Sequence, residues 1–193
     1  TDTTATGIQV RSVSAPTTAG ASANAKNSYG TPVEVADATA VTDKYAPAVT
    51  TNGYETLDVD ANGQIDHIKV IFTEDMQAGL VSADKFTVAG YTVVDAYAAS
   101  VGAPTSATAR TGATVGDDVN VFVRVTEKTT PDTGATPKVT IAAGMKDVPG
   151  NAFAAVADKA TVDKAAPVLV TALRTGANAV TLTYSEGVYS VND

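Results

Sequence analysis

One phrase occurs twice in this chain. Asp43-Lys44-Tyr45-Ala46-Pro47-Ala48-Val49 returns as Asp163-Lys164-Ala165-Ala166-Pro167-Val168-Leu169, an offset of 120 residues from 43 to 163. A glycine precedes each phrase at the same spacing, Gly30 and Gly150, and a strand pattern ending in a glutamate follows each. That pattern is Ile68 to Glu74 in the first copy and Val180 to Glu186 in the second, so the glutamates are offset by 112, from 74 to 186. Self-similarity at a long period means repeated supersecondary packages, which sets the organisation before any single element is assigned. Residues 43–162 form one whole unit. Residues 1–42 read as the C-terminal strands of a preceding unit, and residues 163–193 as the N-terminal strands of a following one.

Within the whole unit the apolar period is two, the signature of strands. Ile68, Val70 and Phe72 share one face. Phe86-Thr87-Val88 and Tyr91-Thr92-Val93-Val94 are expected to pair across Ala89-Gly90. The stretch from Ala99 to Gly116 carries no strong pattern. Asp118 to Val125 puts four valines on one face and is the best strand of the chain, and Lys138 to Ile141 and Phe153 to Val162 follow. Turns are expected at Pro131-Asp132-Thr133-Gly134 and Val148-Pro149-Gly150-Asn151. Aromatic residues are 6% and Trp is absent, so small and β-branched residues must make the core, which disfavours helical bundles. About seven short antiparallel strands in roughly 100 residues is the pattern of an immunoglobulin-like β-sandwich, here in tandem array. In the N-terminal part, Ile8, Val10 and Val13, then Thr31 to Ala40, read as two short strands flanking a Ser/Thr/Ala/Gly stretch from Ser14 to Asn27.

Between the first phrase and its strand lies Asp58-Val59-Asp60-Ala61-Asn62-Gly63-Gln64-Ile65-Asp66, and the second copy has only Arg174-Thr175-Gly176-Ala177-Asn178 there. Oxygen-bearing side chains at every second position, Asp58, Asp60 and Asn62, can all turn inward when the chain curls. Gly63 supplies the bend, Gln64 a backbone carbonyl and Asp66 another carboxylate, which matches the ligand rhythm of a calcium loop. It is not an EF-hand, because Lys69 stands where the closing glutamate would be and a strand follows. The closing carboxylate must come from elsewhere, with Glu74 and Asp43 the nearest in sequence. A plain polar hairpin turn is the alternative reading, since Asn-Gly and Asp are ordinary turn residues.

The order Asp-x-x-Ala-Pro, Asp-x-Asp-x-Asn-Gly-x-Ile-Asp, Phe-Thr-Glu or Tyr-Ser-Glu, Phe-Thr-Val, Asp132-Thr-Gly-Ala-Thr-Pro, Gly150-Asn151 resembles the bacterial Ig-like repeats of S-layer proteins and large cell-surface adhesins. The resemblance covers residues 43–162 and parts of both flanks. It implies an extracellular, cell-surface β-sandwich serving as a lattice component or stalk, with calcium stiffening the domains or their contacts. Its implied partners are copies of itself or neighbouring Ig-like domains, with cell-wall or surface glycans the partners of an adhesin or carbohydrate-binding accessory module. The Asp-x-x-Ala-Pro phrase is also similar to the cadherin linker, whose Asp completes interdomain calcium sites. That likeness would make Asp43 and Asp163 metal ligands, although neither has the neighbouring acidic residues of that linker, and a turn capping a Pro-led strand explains them as well.

Other chemistries find little support. A net charge of −8 disfavours nucleic acid and anionic membrane and favours divalent cations. No apolar run approaches the ~20 residues of a membrane span. Cys is absent, which excludes thiolate metal sites and disulfides. His67, the one histidine, has no nucleophile motif nearby, so no catalytic triad can be assembled and no enzyme is expected. Paired carboxylates such as Asp117-Asp118 and Glu74-Asp75 are explained by turn capping as well as by glycoside hydrolysis. Tyr91 and Tyr97 could line a sugar-binding face, but without Trp a stacking platform is poorly supplied. A chain starting at Thr1 fits a removed signal peptide or an excised fragment. Incomplete outer units are expected from simple truncation of a longer chain; were the 193 residues the whole mature chain, such units would instead complete one another between molecules by strand addition into a fibre.

Overall fold

A computed structural model describes residues 9–10, 39–40, 42–101, 103–110 and 112–189. The chain divides into two compact units, Thr1–Lys44 and Tyr45–Asp193. In the first, β1 (Gln9–Val10) pairs antiparallel with β2 (Thr39–Ala40). Ile8, Val13 and the part of the expected strand from Thr31 to Ala38 lie outside the described residues.

The second unit is all-β, with two short 3₁₀ turns, Ala78–Leu80 and Ala83–Lys85. Its strands are β3 (Val49–Leu57), β4 (His67–Met76), β5 (Phe86–Val88), β6 (Val93–Val101), β7 (Thr114–Val115), β8 (Asp118–Val125), β9 (Lys138–Ile141), β10 (Val156–Ala160), β11 (Leu169–Gly176) and β12 (Ala179–Tyr184). One sheet has the order β3-β4-β8-β6-β7, a second β10-β9-β5, and β11-β12 forms a hairpin of its own. The strands within each sheet pair antiparallel. Ile68, Val70 and Phe72 of β4, Val121, Val123 and Val125 of β8, and Ala96 and Ala98 of β6 pack against Phe86, Val88, Val139, Ile141, Met145 and Phe153 in one buried core. Phe72 meets Phe153 edge to face, ring centroids 5.4 Å apart. The alternation that identified these strands is therefore the alternation between this core and the opposite face.

One expected pairing is corrected. Phe86–Val88 and the strand from Val93 do not form a hairpin: β5 pairs with β9, whereas β6 pairs with β8. Gly90, at φ 80°, carries the chain from one sheet to the other. Two apolar runs separated by a glycine look alike whether the turn joins strands of one sheet or crosses between two, so periodicity could not tell them apart. The patternless stretch after Ala99 also contains the end of β6 and the two-residue β7.

The second copy of the repeat reproduces the first where its two strands meet at their outer end, and further along its register differs by two residues. Val49 pairs with Phe72 and Leu169 pairs with Tyr184, at the same offsets of 120 and 112 as the sequence match. Ala48 N–H donates to Thr73 Oγ1 (3.1 Å), and Val168 N–H donates to Ser185 Oγ (2.8 Å). Thr73 N–H returns to Ala48 O (2.8 Å), as Ser185 N–H does to Val168 O (2.9 Å).

Candidate metal centre

β3 and β4 pair as far as Leu57 and His67, and the residues between them form the acidic loop. Its ends are tied by Asp66 N–H to Leu57 O, 3.1 Å, and by Val125 N–H of the neighbouring strand to Asp66 O, 2.8 Å. Ile65 is fully buried in the core, which forces the polar residues on either side of it into one curl. Ala61 at φ 57° and Gly63 at φ 93° make the bend. The loop's own N–H groups point at its carboxylates. Gly63 N–H donates to Asp58 Oδ2 at 2.7 Å, Asn62 N–H to Asp58 Oδ1 and Asp60 Oδ1 at 3.2 Å each, and Val59 N–H to Asp66 Oδ2 at 2.9 Å.

These bonds bring one carboxylate oxygen from each of Asp58, Asp60 and Asp66 within 4.8 Å of the others. Asp66 is fully buried, Asp58 half-buried and Asp60 exposed, so the cluster runs from the interior to the surface. Asp66 Oδ1 also holds His67 Nδ1 at 2.8 Å, which fixes the buried carboxylate's orientation. No lysine or arginine among the described residues pairs with the three: Lys69 goes to Glu55, Lys128 to Asp132, and Arg110 and Arg124 to Asp95. Burial raises the Asp58 carboxyl above its ordinary range; the Gly63 and Asn62 N–H bonds oppose this and the charges of Asp66 and Asp60 add to it.

The sequence pointed to Glu74 and Asp43 as closing ligands, and the structure does not bring Glu74 to the loop. It lies eight residues along an extended strand from Asp66, ~26 Å at about 3.3 Å per residue. There its buried carboxylate is within 4.8 Å of that of Asp147. Asp43 belongs to the N-terminal unit. The acid that does reach the loop is Glu127, whose Oε1 accepts Asn62 Nδ2–H at 3.0 Å. Its carboxyl is raised first by burial, then by Asp60, Asp66 and Asp58, with the Asn62 bond opposing. Glu127 follows β8, which runs antiparallel to β4, so the chain leaving β8 must pass the loop entering β4. Only the pairing of these two strands reveals this, and no spacing in the sequence states it. Gln64 contributes its N–H to Asn62 Oδ1, 2.9 Å, and Asn62 joins the acids through its amide.

A second buttress comes from the turn after β8. Asp132 Oδ1 accepts Ile65 N–H and Asp132 N–H donates to Gly63 O, both 2.9 Å, while Tyr91 Oη bonds Asp132 Oδ2. Against this pair of loops sits the start of the second copy. Thr133 Oγ1 and Ser185 Oγ are 2.6 Å apart and buried, and burial, with the neighbouring Asp163 charge, raises the Glu186 carboxyl above its ordinary range. Thr56, fully buried in β3, accepts Lys164 N–H at 3.0 Å and Ala165 N–H at 3.4 Å on its hydroxyl. Ala165 itself enters the core. An all-oxygen set of three Asp and an adjacent Glu, with no thiolate, suits a hard divalent cation of the calcium kind.

No family model matches the chain, and no solved structure matches it. It is similar to an outer cell wall protein of Brevibacillus brevis, 31% identical over 173 residues. That match takes in 86% of this chain and 14% of the other protein's length. The likeness puts the chain outside the cell, at its surface. Among the described residues no helix is long and apolar enough to cross a membrane.

Proposed function

We propose that this chain is a structural piece of a bacterial surface layer, built of immunoglobulin-like units in series whose joint is stiffened by calcium. The observation that carries this reading is the position of the acidic loop, which is also the surface on which the second copy of the repeat is seated. Asp58, Asp60, Asp66 and Glu127 would hold the ion, and its charge offsets their mutual repulsion. The chain's own part is to fix the loop: Ile65 anchors it in the core, His67 orients Asp66, and Asp132 holds Gly63 and Ile65 in place. A loop so fixed gives Ser185 and Glu186 a firm surface, and the angle between successive units is then set rather than averaged.

The similarity to an outer cell wall protein supports the surface setting, and the matched hydrogen bonds of the two copies support the serial units. Extracellular calcium modules bind with dissociation constants on the order of 0.1–1 mM, so the ion would be held outside a cell and lost to a chelator. Thermal melting of the chain in 10 mM calcium and in excess chelator tests the reading, together with electron microscopy for sheets or filaments. A higher melting temperature with calcium is expected. Identical melting curves would exclude the calcium role, and a chain that never assembles under either condition would exclude the lattice.

A further inference from the structure

The hairpin β11-β12 carries an apolar face that nothing in the described structure covers. Val180 and Leu182 are 63% and 48% exposed, and Leu169 opposite Tyr184 is 49% exposed. Their counterparts in the first copy are core residues. At the offset of 112, Val180, Leu182 and Tyr184 stand in the places of Ile68, Val70 and Phe72, which are 0%, 0% and 2% exposed. Those three are buried by β5 and β9, by Phe153, and by β8 pairing along the outer edge of β4. The second copy has no such neighbours, and a two-stranded hairpin is marginal by itself. It is kept in place from below, through Thr56, Thr133 and Ser185.

We infer that this face is a docking surface and that its occupant is a sheet of the β10-β9-β5 kind belonging to a further repeat, with a β8-like strand added along the free edge of β12. This rests on the serial-unit reading above and deepens it. The Leu169–Tyr184 pair, which matches Val49–Phe72, and the Ser185 hydroxyl bond to Val168 show that the end of the hairpin carrying Tyr184 already has the geometry of a core hairpin. The side chains fit the same partner: Ile68 to Val180, Val70 to Leu182 and Phe72 to Tyr184 are apolar exchanges that differ by a carbon or one hydroxyl. Cores accept such exchanges when total volume is kept. Among the described residues the face has Arg174 as its one charge, at the turn end opposite Val180, so a basic partner gains nothing there and the rest of the face offers only apolar contact.

The test uses the full chain and the same chain extended after Glu186 by a second copy of residues 75–162, the segment that follows Glu74 in the first unit. Hydroxyl-radical labelling and differential scanning calorimetry are read on both. In the parent chain Leu182 and Val180 are labelled, and Leu182→Asp leaves the melting temperature unchanged. In the extended chain a second cooperative transition appears, the labelling of Tyr184, Leu182 and Val180 is lost, and Leu182→Asp removes that transition while sparing the first. An extended chain with one transition and a fully labelled hairpin overturns the proposal. So does a concentration-dependent dimer of the parent chain that protects Leu182, because the occupant is then a second copy's hairpin. Calcium is absent throughout, so this result is independent of whether the acidic loop binds an ion.

Discussion

Gly63 in the acidic loop and Ser185 at the end of β12 touch so closely that a Cβ on Gly63 would stand 3.2 Å from the Ser185 Cβ, with Val170 Cγ2 at 3.7 Å. Sites separated by the length of the domain in sequence thus share one surface. Anything that reshapes the loop is felt by the β11-β12 hairpin.

Gly63→Ala is therefore expected to destabilise twice over. Its φ of 93° suits glycine, and the added methyl meets Ser185. The cost should be roughly 1–3 kcal/mol for a side chain held in the left-handed region, read as a shift of the urea midpoint. Gly79→Ala, where a Cβ meets nothing within 4 Å, serves as the control and should be silent.

Calcium affinity should fall by about tenfold or more in Asp60→Asn and in Glu127→Gln, since each removes a charged oxygen from the cluster. Glu74→Gln should leave the affinity unchanged, because Glu74 lies at the far end of β4. Isothermal titration separates the two outcomes. With wild type, 10 mM calcium should add ~1.4–2.7 kcal/mol for dissociation constants of 1 to 0.1 mM.

Without metal, the acidic loop's share of the stability should fall as pH rises through the carboxylate range. The folded-state carboxyls of Asp58 and Glu127 are both raised above their unfolded values of 3.8 and 4.5. A raised acid holds its proton better when folded, so its contribution is full below the unfolded pKa and is lost as pH climbs through the folded one. Urea unfolding in chelator from pH 3.5 to 7 should show this decline as the difference between the parent chain and Asp58→Asn, because the lowered carboxyl of Asp95 contributes with the opposite sign to both. Saturating calcium should reverse it, since the ion binds the deprotonated acids.

Thr56→Val keeps the shape of a fully buried side chain and removes the acceptor for Lys164 and Ala165 N–H. A loss of about 1–3 kcal/mol is expected for buried donors left without partners. Hydrogen exchange should quicken across residues 164–176 before it does in β4 or β8.

The repeat, the strands of the whole unit and the acidic loop were legible in the sequence because each depends on local order: a phrase, a period of two, an alternation of oxygens. What was not legible depends on which strands become neighbours. Glu127 joins the loop only because β8 lies beside β4, and Asp132 only because the chain after β8 turns back under Gly63. Likewise Glu74, near in number, is carried away by the extended strand that holds it. The β5 to β6 crossing was misread for the same reason, since a glycine between two apolar runs serves a hairpin and a change of sheet equally well.

The exit of the chain has a consequence under load. Val162 runs parallel to Glu55, with Thr56 N–H to Val162 O at 3.0 Å and Val162 N–H to Tyr54 O at 2.6 Å, reinforced by the two bonds onto the Thr56 hydroxyl. Tension applied between Val49 and the second copy would pull these two parallel segments past each other along their length. Every bond between them is then strained at once and must break together, whereas antiparallel strands peeled from one end open one bond at a time. A chain pulled in this way would meet its resistance in that short parallel seam.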